Sequence, residues 1–287
     1  MDDTLFDPFL SSSDDLMMKL ALIEAMQVGQ IPLNENSSRG LSKNLDDKSL
    51  RALQEQSLAE TSPISTKLGV EYFDLEPMRA AMASIVYAVY ELELDQILEP
   101  VRLVKGLNDV LPEFLEHTLK GDEEYLISLS ETLGVSAGIV KLIGETLIGP
   151  PLTRIASMCL KGFLDSWNNL ACSVCGRLPS VAMKDEGEPW RFKCLLCGTD
   201  YRMDVFSCPH CRSEEKADKG FLLVGDKQEL ELAYCEKCKR YYKIINKSKL
   251  SESIPPGLEG IYTGILDQIA RDRGLMRIDD HNQSPSD

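Results

Sequence analysis

The chain has 287 residues, 43% of them hydrophobic, and a formal net charge of −15, which leaves room for one large core or two modest domains of ordinary soluble composition. The charge is uneven: residues 1–169 carry 13 Lys/Arg against 27 Asp/Glu (−14), residues 170–250 carry 15 against 12 (+3), and residues 251–287 carry 3 against 7 (−4). Such an acidic body repels a phosphate backbone, so general nucleic-acid binding is disfavoured. The most apolar window, Leu133 to Leu152, is interrupted by Lys141, Glu145 and a Pro-Pro pair, against a membrane span, and the acidic start MDDTLFDPFLSSSDDL is unlike a signal peptide. A cytoplasmic location is expected.

Residues 1–43 form an acidic, partly disordered segment, with one amphipathic helix expected over Asp14 to Met26 between Ser-rich and Asn-rich stretches. Residues 44–169 read as a helical domain. In DLEPMRAAMASIVYAVYELELDQIL, Asp74 offers an N-cap and Pro77 sits in the first turn. Met78, Met82, Ile85, Val86 and Val89 then recur on one face at three- and four-residue spacing. Further helices are predicted from Asp109 with Pro112 in the opening turn, over Glu123–Leu133, and over Ser136–Ile148. Pro150-Pro151 is expected to break the chain before a last helix, Leu152–Asn168.

From Ala171 short alternating runs replace the helical period. EPWRFKC alternates Trp190 and Phe192, and ELELAYC alternates Leu230, Leu232 and Tyr234; each run leads into a cysteine pair. Eight of the nine cysteines form four Cys-x-x-Cys pairs: Cys172/Cys175, Cys194/Cys197, Cys208/Cys211 and Cys235/Cys238. Thiolates at this spacing reach one metal through a tight turn, and two such turns give a tetrahedral sulfur shell suited to Zn²⁺ or a single iron. Without an export signal, this spacing favours a chelate over disulfides. Two metal ions, Zn or Fe, are expected, each held by four cysteines.

An internal repeat bears on the pairing. WRFKC-LLC-GTDYRMDVF and LELAYC-EKC-KRYYKII each have a strand, a cysteine turn, a tyrosine four residues on (Tyr201, Tyr242) and a second strand. Tandem duplication follows, with one site from the first two pairs (residues 170–204) and another from the last two (205–250); interleaved pairing is the alternative. Two closed sulfur shells leave no open coordination position for water chemistry. After Pro255-Pro256-Gly257, Leu258, Ile261, Ile265 and Ile269 mark a final helix within 251–287, ahead of a polar tail.

The remaining candidates read as ordinary structure. His210, inside the third pair, is expected to face solvent. Cys159 reads as a small buried hydrophobe, His117 as a surface residue, and His281 as part of the tail. Asp122-Glu123-Glu124 and Glu91/Glu93/Asp95 read as caps or solvated faces, and no catalytic set or phosphate loop appears.

CSVCGRLPSVAM, RFKCLLCGTDYRMDVFSCPHC and AYCEKCKRYYKII, with SWNNLA before them and LEGIYTGILDQIARDRGLMR after, resemble the formate dehydrogenase accessory proteins of the FdhE type. The resemblance runs from about Pro151 to Arg277. It implies a multi-helix N-terminal domain, two tandem rubredoxin-like or zinc-ribbon modules and a C-terminal helix. It implies a non-enzymatic cytosolic role in making formate dehydrogenase active, through contact with its molybdenum- or tungsten-containing catalytic subunit, and it assigns metal binding to the eight paired cysteines. One feature departs from the family: a matching fourth turn would continue C-x-x-C-G, whereas Lys239-Arg240 follow Cys238, where glycine would permit a left-handed turn. The alternatives are a rubredoxin-like electron carrier and a zinc-ribbon module that binds nucleic acid or protein.

Overall fold

The computed structural model describes residues 40–91, 99–167, 169–187, 190–202, 207–224, 228–254 and 259–278. The expected helix at Asp14–Met26, the residues Glu93, Asp95, Leu258 and His281, and the side chain of Ile261 lie outside what is described. In chain order the helices are α1 (Asp47–Glu60), α2 (Leu75–Glu91), α3 (Pro100–Asp109), α4 (Leu111–Lys120), α5 (Glu123–Leu133), α6 (Ala137–Met158), α7 (Lys161–Ser166), α8 (Glu259–Tyr262) and α9 (Gly264–Asp272). The strands are β1 (Val181–Lys184), β2 (Arg191–Lys193), β3 (Asp200–Arg202), β4 (Lys219–Val224), β5 (Leu230–Cys235), β6 (Arg240–Asn246) and β7 (Met276–Arg277). Among the described residues no single helix is long and apolar enough to cross a membrane.

The chain divides into two compact units. The first takes the described residues up to Leu45 together with Leu68–Pro151; the second takes Asp46–Lys67 together with the described residues from Leu152 onward.

The first unit is helical. On α2 the expected stripe of Met78, Met82, Ile85, Val86 and Val89 is buried, with Ala81 beside it. The sequence reading passed over α3, which Pro100 opens in its first turn and which buries Leu103 and Leu107. Helix α4 therefore starts from Val110, one residue beyond Asp109, and buries Leu111, Phe114, Leu115 and Leu119. Asp122 caps α5 by accepting from the Tyr125 N–H at 3.1 Å. Gly144 lets α6 approach α4, since a Cβ there would sit 2.8 Å from Thr118 and 3.0 Å from Phe114.

The expected break at Pro150-Pro151 does not occur: α6 runs through both prolines to Met158. Each interior proline costs a helix about 3 kcal/mol. Leu147, Ile148, Leu152 and Ile155, spaced along the same stretch, are all at most 1% exposed. Burying each contributes roughly 1.5–3 kcal/mol, enough to offset the prolines. The predicted helix over Leu152–Asn168 is accordingly the end of α6 followed by the short α7.

In the second unit the strands form one sheet in the order β3-β2-β1-β6-β5-β4, with β7 also paired to β6. β1, β2 and β3 form an antiparallel meander, as do β4, β5 and β6. The two meanders join through parallel pairing of β1 with β6, Val181 opposite Lys243 and Ala182 opposite Ile244. On one face Val181, Leu230, Leu232, Tyr241 and Ile245 pack against Leu266 and Ala270 of α9. The expected stripe on this helix is thus rotated by one position, with Ile265 and Ile269 flanking the core as half-buried residues. On the other face Phe192, fully buried, has its ring 6.4 Å from Tyr201 and 5.5 Å from Tyr242, so one aromatic spans both meanders.

Ion pairs with a buried partner are built into this sheet. Lys184 pairs with Glu231, and Lys193 pairs with Glu259. Lys243, 2% exposed, donates to Asp267 at 2.8 Å and to the Gly260 carbonyl at 3.2 Å. Tyr241 also donates its hydroxyl to Asp267, at 2.7 Å, so α8 and α9 are fixed to β6 by charge as well as by apolar packing.

Candidate metal centres

Each meander carries the same device: cysteine turn, two strands, cysteine turn, third strand. The eight sulfurs converge as two groups, Cys172/Cys175/Cys194/Cys197 and Cys208/Cys211/Cys235/Cys238, with the ligand atoms of each group all within 4.8 Å of one another. The pairing is sequential, as the internal repeat suggested.

All four turns close in the same way. The N–H of the residue after the second cysteine donates to the carbonyl of the first: Gly176 to Cys172 at 2.9 Å, Gly198 to Cys194 at 2.9 Å, Arg212 to Cys208 at 3.0 Å, and Lys239 to Cys235 at 2.8 Å. That residue is left-handed in every case, with φ of 76° at Gly176, 68° at Gly198, 62° at Arg212 and 55° at Lys239. Glycine adopts this conformation freely; a residue with a Cβ pays about 1–2 kcal/mol for it. The missing glycine after Cys238 therefore leaves the turn's geometry in place, and Arg212 takes the same conformation in the third pair.

In the first group Cys172 and Cys197 sulfurs lie 3.5 Å apart and Cys175 and Cys194 sulfurs 3.2 Å apart; in the second, Cys208–Cys238 and Cys211–Cys235 are both 3.7 Å. A disulfide requires about 2.05 Å, and all nine cysteines are free thiols. Four sulfurs at about 2.3 Å from a tetrahedral Zn²⁺ lie about 3.8 Å from one another. The second group already has that spacing, and the first needs to expand by a few tenths of an ångström. The donor set suits a soft or borderline ion such as Zn²⁺ or iron.

Four thiols in one pocket cannot ionise independently. Burial opposes ionisation of Cys172, but hydrogen bonds from Cys175, Cys194 and Cys197 outweigh it and hold this thiol well below its ordinary range. Burial, reinforced by the same neighbours, holds Cys175 well above it. In the second group burial pushes Cys208 and Cys238 up, whereas the Ser213 N–H and neighbouring thiols bring Cys211 down against its own burial. A divalent cation at the centre would replace protons as the compensating positive charge for all four sulfurs.

The first group is held by distant chain. The amides of Ile64 and Ser65 donate to the carbonyls of Ser173 and Val174, the residues between the first two cysteines, at 3.0 and 2.8 Å. Pro63 packs on Gly176, where a Cβ would lie 3.0 Å from its Cγ. Trp167 donates its indole N–H to the Ala171 carbonyl at 2.7 Å, fixing the residue before Cys172. Thr199 Oγ1 lies 3.0 Å from Cys197 Sγ. Sequence reading noted the tryptophan but missed the 63–65 segment, because nothing in either segment's own pattern announces pairing over such a distance.

The other sequence candidates stay out of both groups. His210 is exposed and is not among the converging sulfurs. Cys159 lies just past α6, half-buried rather than buried, and burial with the nearby Cys172 pushes its thiol up to about 12. His117, expected at the surface, is partly covered: it stacks on Tyr125 with ring centroids 3.9 Å apart and hydrogen-bonds Asp122 at 2.8 Å. Glu123 pairs with Lys141 at 3.0 Å.

No family model matches the chain. A protein from Aquifex aeolicus (strain VF5) described as "Protein FdhE homolog" is 27% identical over 243 residues, covering 83% of this chain and 79% of that protein. The crystal structure of the FdhE protein from Pseudomonas aeruginosa superposes with a TM-score of 0.60 at 14% identity, covering 93% of this chain and 87% of that one. The solved structure speaks for the fold, and the Aquifex relative is similar along most of the chain, so in sequence and in fold this chain is similar to FdhE-type proteins.

Proposed function

We propose that this protein is a non-catalytic accessory factor for formate dehydrogenase, working in the cytoplasm by binding the enzyme's catalytic subunit. The eight paired cysteines hold two metal ions, Zn²⁺ or iron, one per sulfur group. The observation that carries this reading is the convergence of all four cysteine turns into two closed tetrads, in a chain related to FdhE along most of its length. Four sulfurs complete each shell, so the ions serve shape or redox state instead of activating water.

A metal-stapled sheet gives a docking platform whose rigidity does not depend on a large core. The +3 of residues 170–250 against the −14 of residues 1–169 supplies an electrical asymmetry that would orient a partner during encounter. Co-purification with the formate dehydrogenase catalytic subunit tests the proposal, comparing the wild-type chain with Cys→Ser changes in each pair. The wild type is expected to retain the subunit and restore formate oxidation in a host lacking its own factor. A soluble, metal-loaded wild type that neither retains the subunit nor restores activity would sink it.

A further inference from the structure

The two sulfur groups share a turn geometry but differ in how that geometry is secured. In the first, all four cysteines are at most 8% exposed, both left-handed positions are glycine, and the Ile64 and Ser65 amides clamp one turn. In the second, Cys208 and Cys235 are buried while Cys211 and Cys238 are only half-buried. Both of its left-handed positions carry long cationic side chains, Arg212 and Lys239. Both residues are exposed, and Lys239 reaches back to Glu236 within its own turn. The second group's turns are secured by the Glu236 N–H, which donates to the Asp218 carbonyl at 2.7 Å, by Ser213 to Asp218, and by the Met276 N–H, which donates to the Lys239 carbonyl at 2.9 Å.

These differences act in one direction. A competing ligand can reach a sulfur-bound ion only where a sulfur is accessible, and here that is the face bearing Cys211 and Cys238. A left-handed arginine or lysine also stores backbone strain that the turn sheds once its sulfurs let go, whereas a glycine turn stores none.

We propose that the second sulfur group is the exchangeable centre, where a thiophilic divalent ion enters and leaves through the Cys211/Cys238 face, and that the first group keeps its ion as a permanent staple. The inference rests on the reading that both groups bind metal. In the exchange the ion keeps its charge and passes to the donors of the incoming chelator, and the four released thiolates take up protons from solvent; no electron is transferred.

The test uses the full chain loaded with Zn²⁺, its metal content measured first, then mixed with excess EDTA while loss of each ion is followed by native mass spectrometry. Aliquots pulsed with iodoacetamide locate the opened thiols by peptide mapping. One ion is expected to leave at least tenfold faster than the other, with alkylation at Cys211 and Cys238 before any of Cys172, Cys175, Cys194 or Cys197. The pair Arg212→Gly and Lys239→Gly relieves both strained turns and is expected to slow the fast phase about tenfold, leaving the slow phase unchanged. Two ions lost at one rate, or first alkylation in the first group, would overturn this inference while the metal reading stands. A chain that takes up no ion would overturn both.

Discussion

Lys243 offers a quantitative check on how the sheet is held. Its ammonium is 2% exposed and sits between Asp267 Oδ2 at 2.8 Å and the Gly260 carbonyl. Lys243→Met keeps much of the side-chain volume but removes the charge. Removing one member of a buried pair costs about 3–5 kcal/mol, because the remaining ion has lost its solvent and its counter-charge together. Asp267 is 19% exposed and keeps the Tyr241 hydroxyl, so the low end, about 3 kcal/mol, applies. For a chain of this size that lowers Tm by roughly 6–12 °C. Thermal unfolding at a fixed free metal concentration measures it, since bound ions stabilise the folded state by mass action. Lys243→Met with Asp267→Asn leaves no bare charge and preserves an acceptor for Tyr241, so it should return to within about 1 kcal/mol of wild type. A single variant as stable as wild type, or a double variant no better than the single, would refute the reasoning.

Gly176→Ala imposes a Cβ on a left-handed residue and pushes it against Pro63, so we expect about 1–3 kcal/mol of lost stability and weaker metal retention in the first group alone, measured by chelator competition. At Gly220 a Cβ would overlap the Tyr234 ring, which lies across the strand pair from it; Gly220→Val should displace that ring and cost about 1–3 kcal/mol by denaturant titration. Asp122→Ala removes the α5 cap and should lower stability, measured by denaturant titration. The Tyr125 N–H, and then His117, hold the Asp122 carboxyl below its ordinary value. The cap's contribution is therefore present above the usual carboxylate range and lost as pH falls through the lowered value, so wild type and variant should converge in stability under strong acid.

Local signals were the readable ones. The stripe on α2 from Met78 to Val89 has the period and starting residues of a helix, and the repeated cysteine–strand–tyrosine order identified the pairing that the tetrads adopt. Where reading failed, tertiary burial overrode a local rule. Pro150-Pro151 looked like a break because their cost is written in the sequence, while the burial of Leu147, Ile148, Leu152 and Ile155 that offsets it is not. Lys193 and Lys243 look like solvent-facing strand positions, yet each finds an acid on α8 or α9, from Glu259 and Asp267. The parallel joining of β1 to β6 and the clamp from Ile64 and Ser65 link segments far apart in the chain, so no short pattern encodes them. Arg212 hid for a different reason: a left-handed arginine is uncommon enough that only the backbone reveals it.

Metal content per chain is the most direct measurement of the central claim. Elemental analysis of protein purified under reducing conditions, alongside an accurate concentration and a free-thiol count after denaturation, should find two Zn or Fe ions per chain, matching the two sulfur tetrads, and all nine cysteines reduced. Fewer than one ion per chain from folded material, or paired cysteines recovered as disulfides, would contradict it.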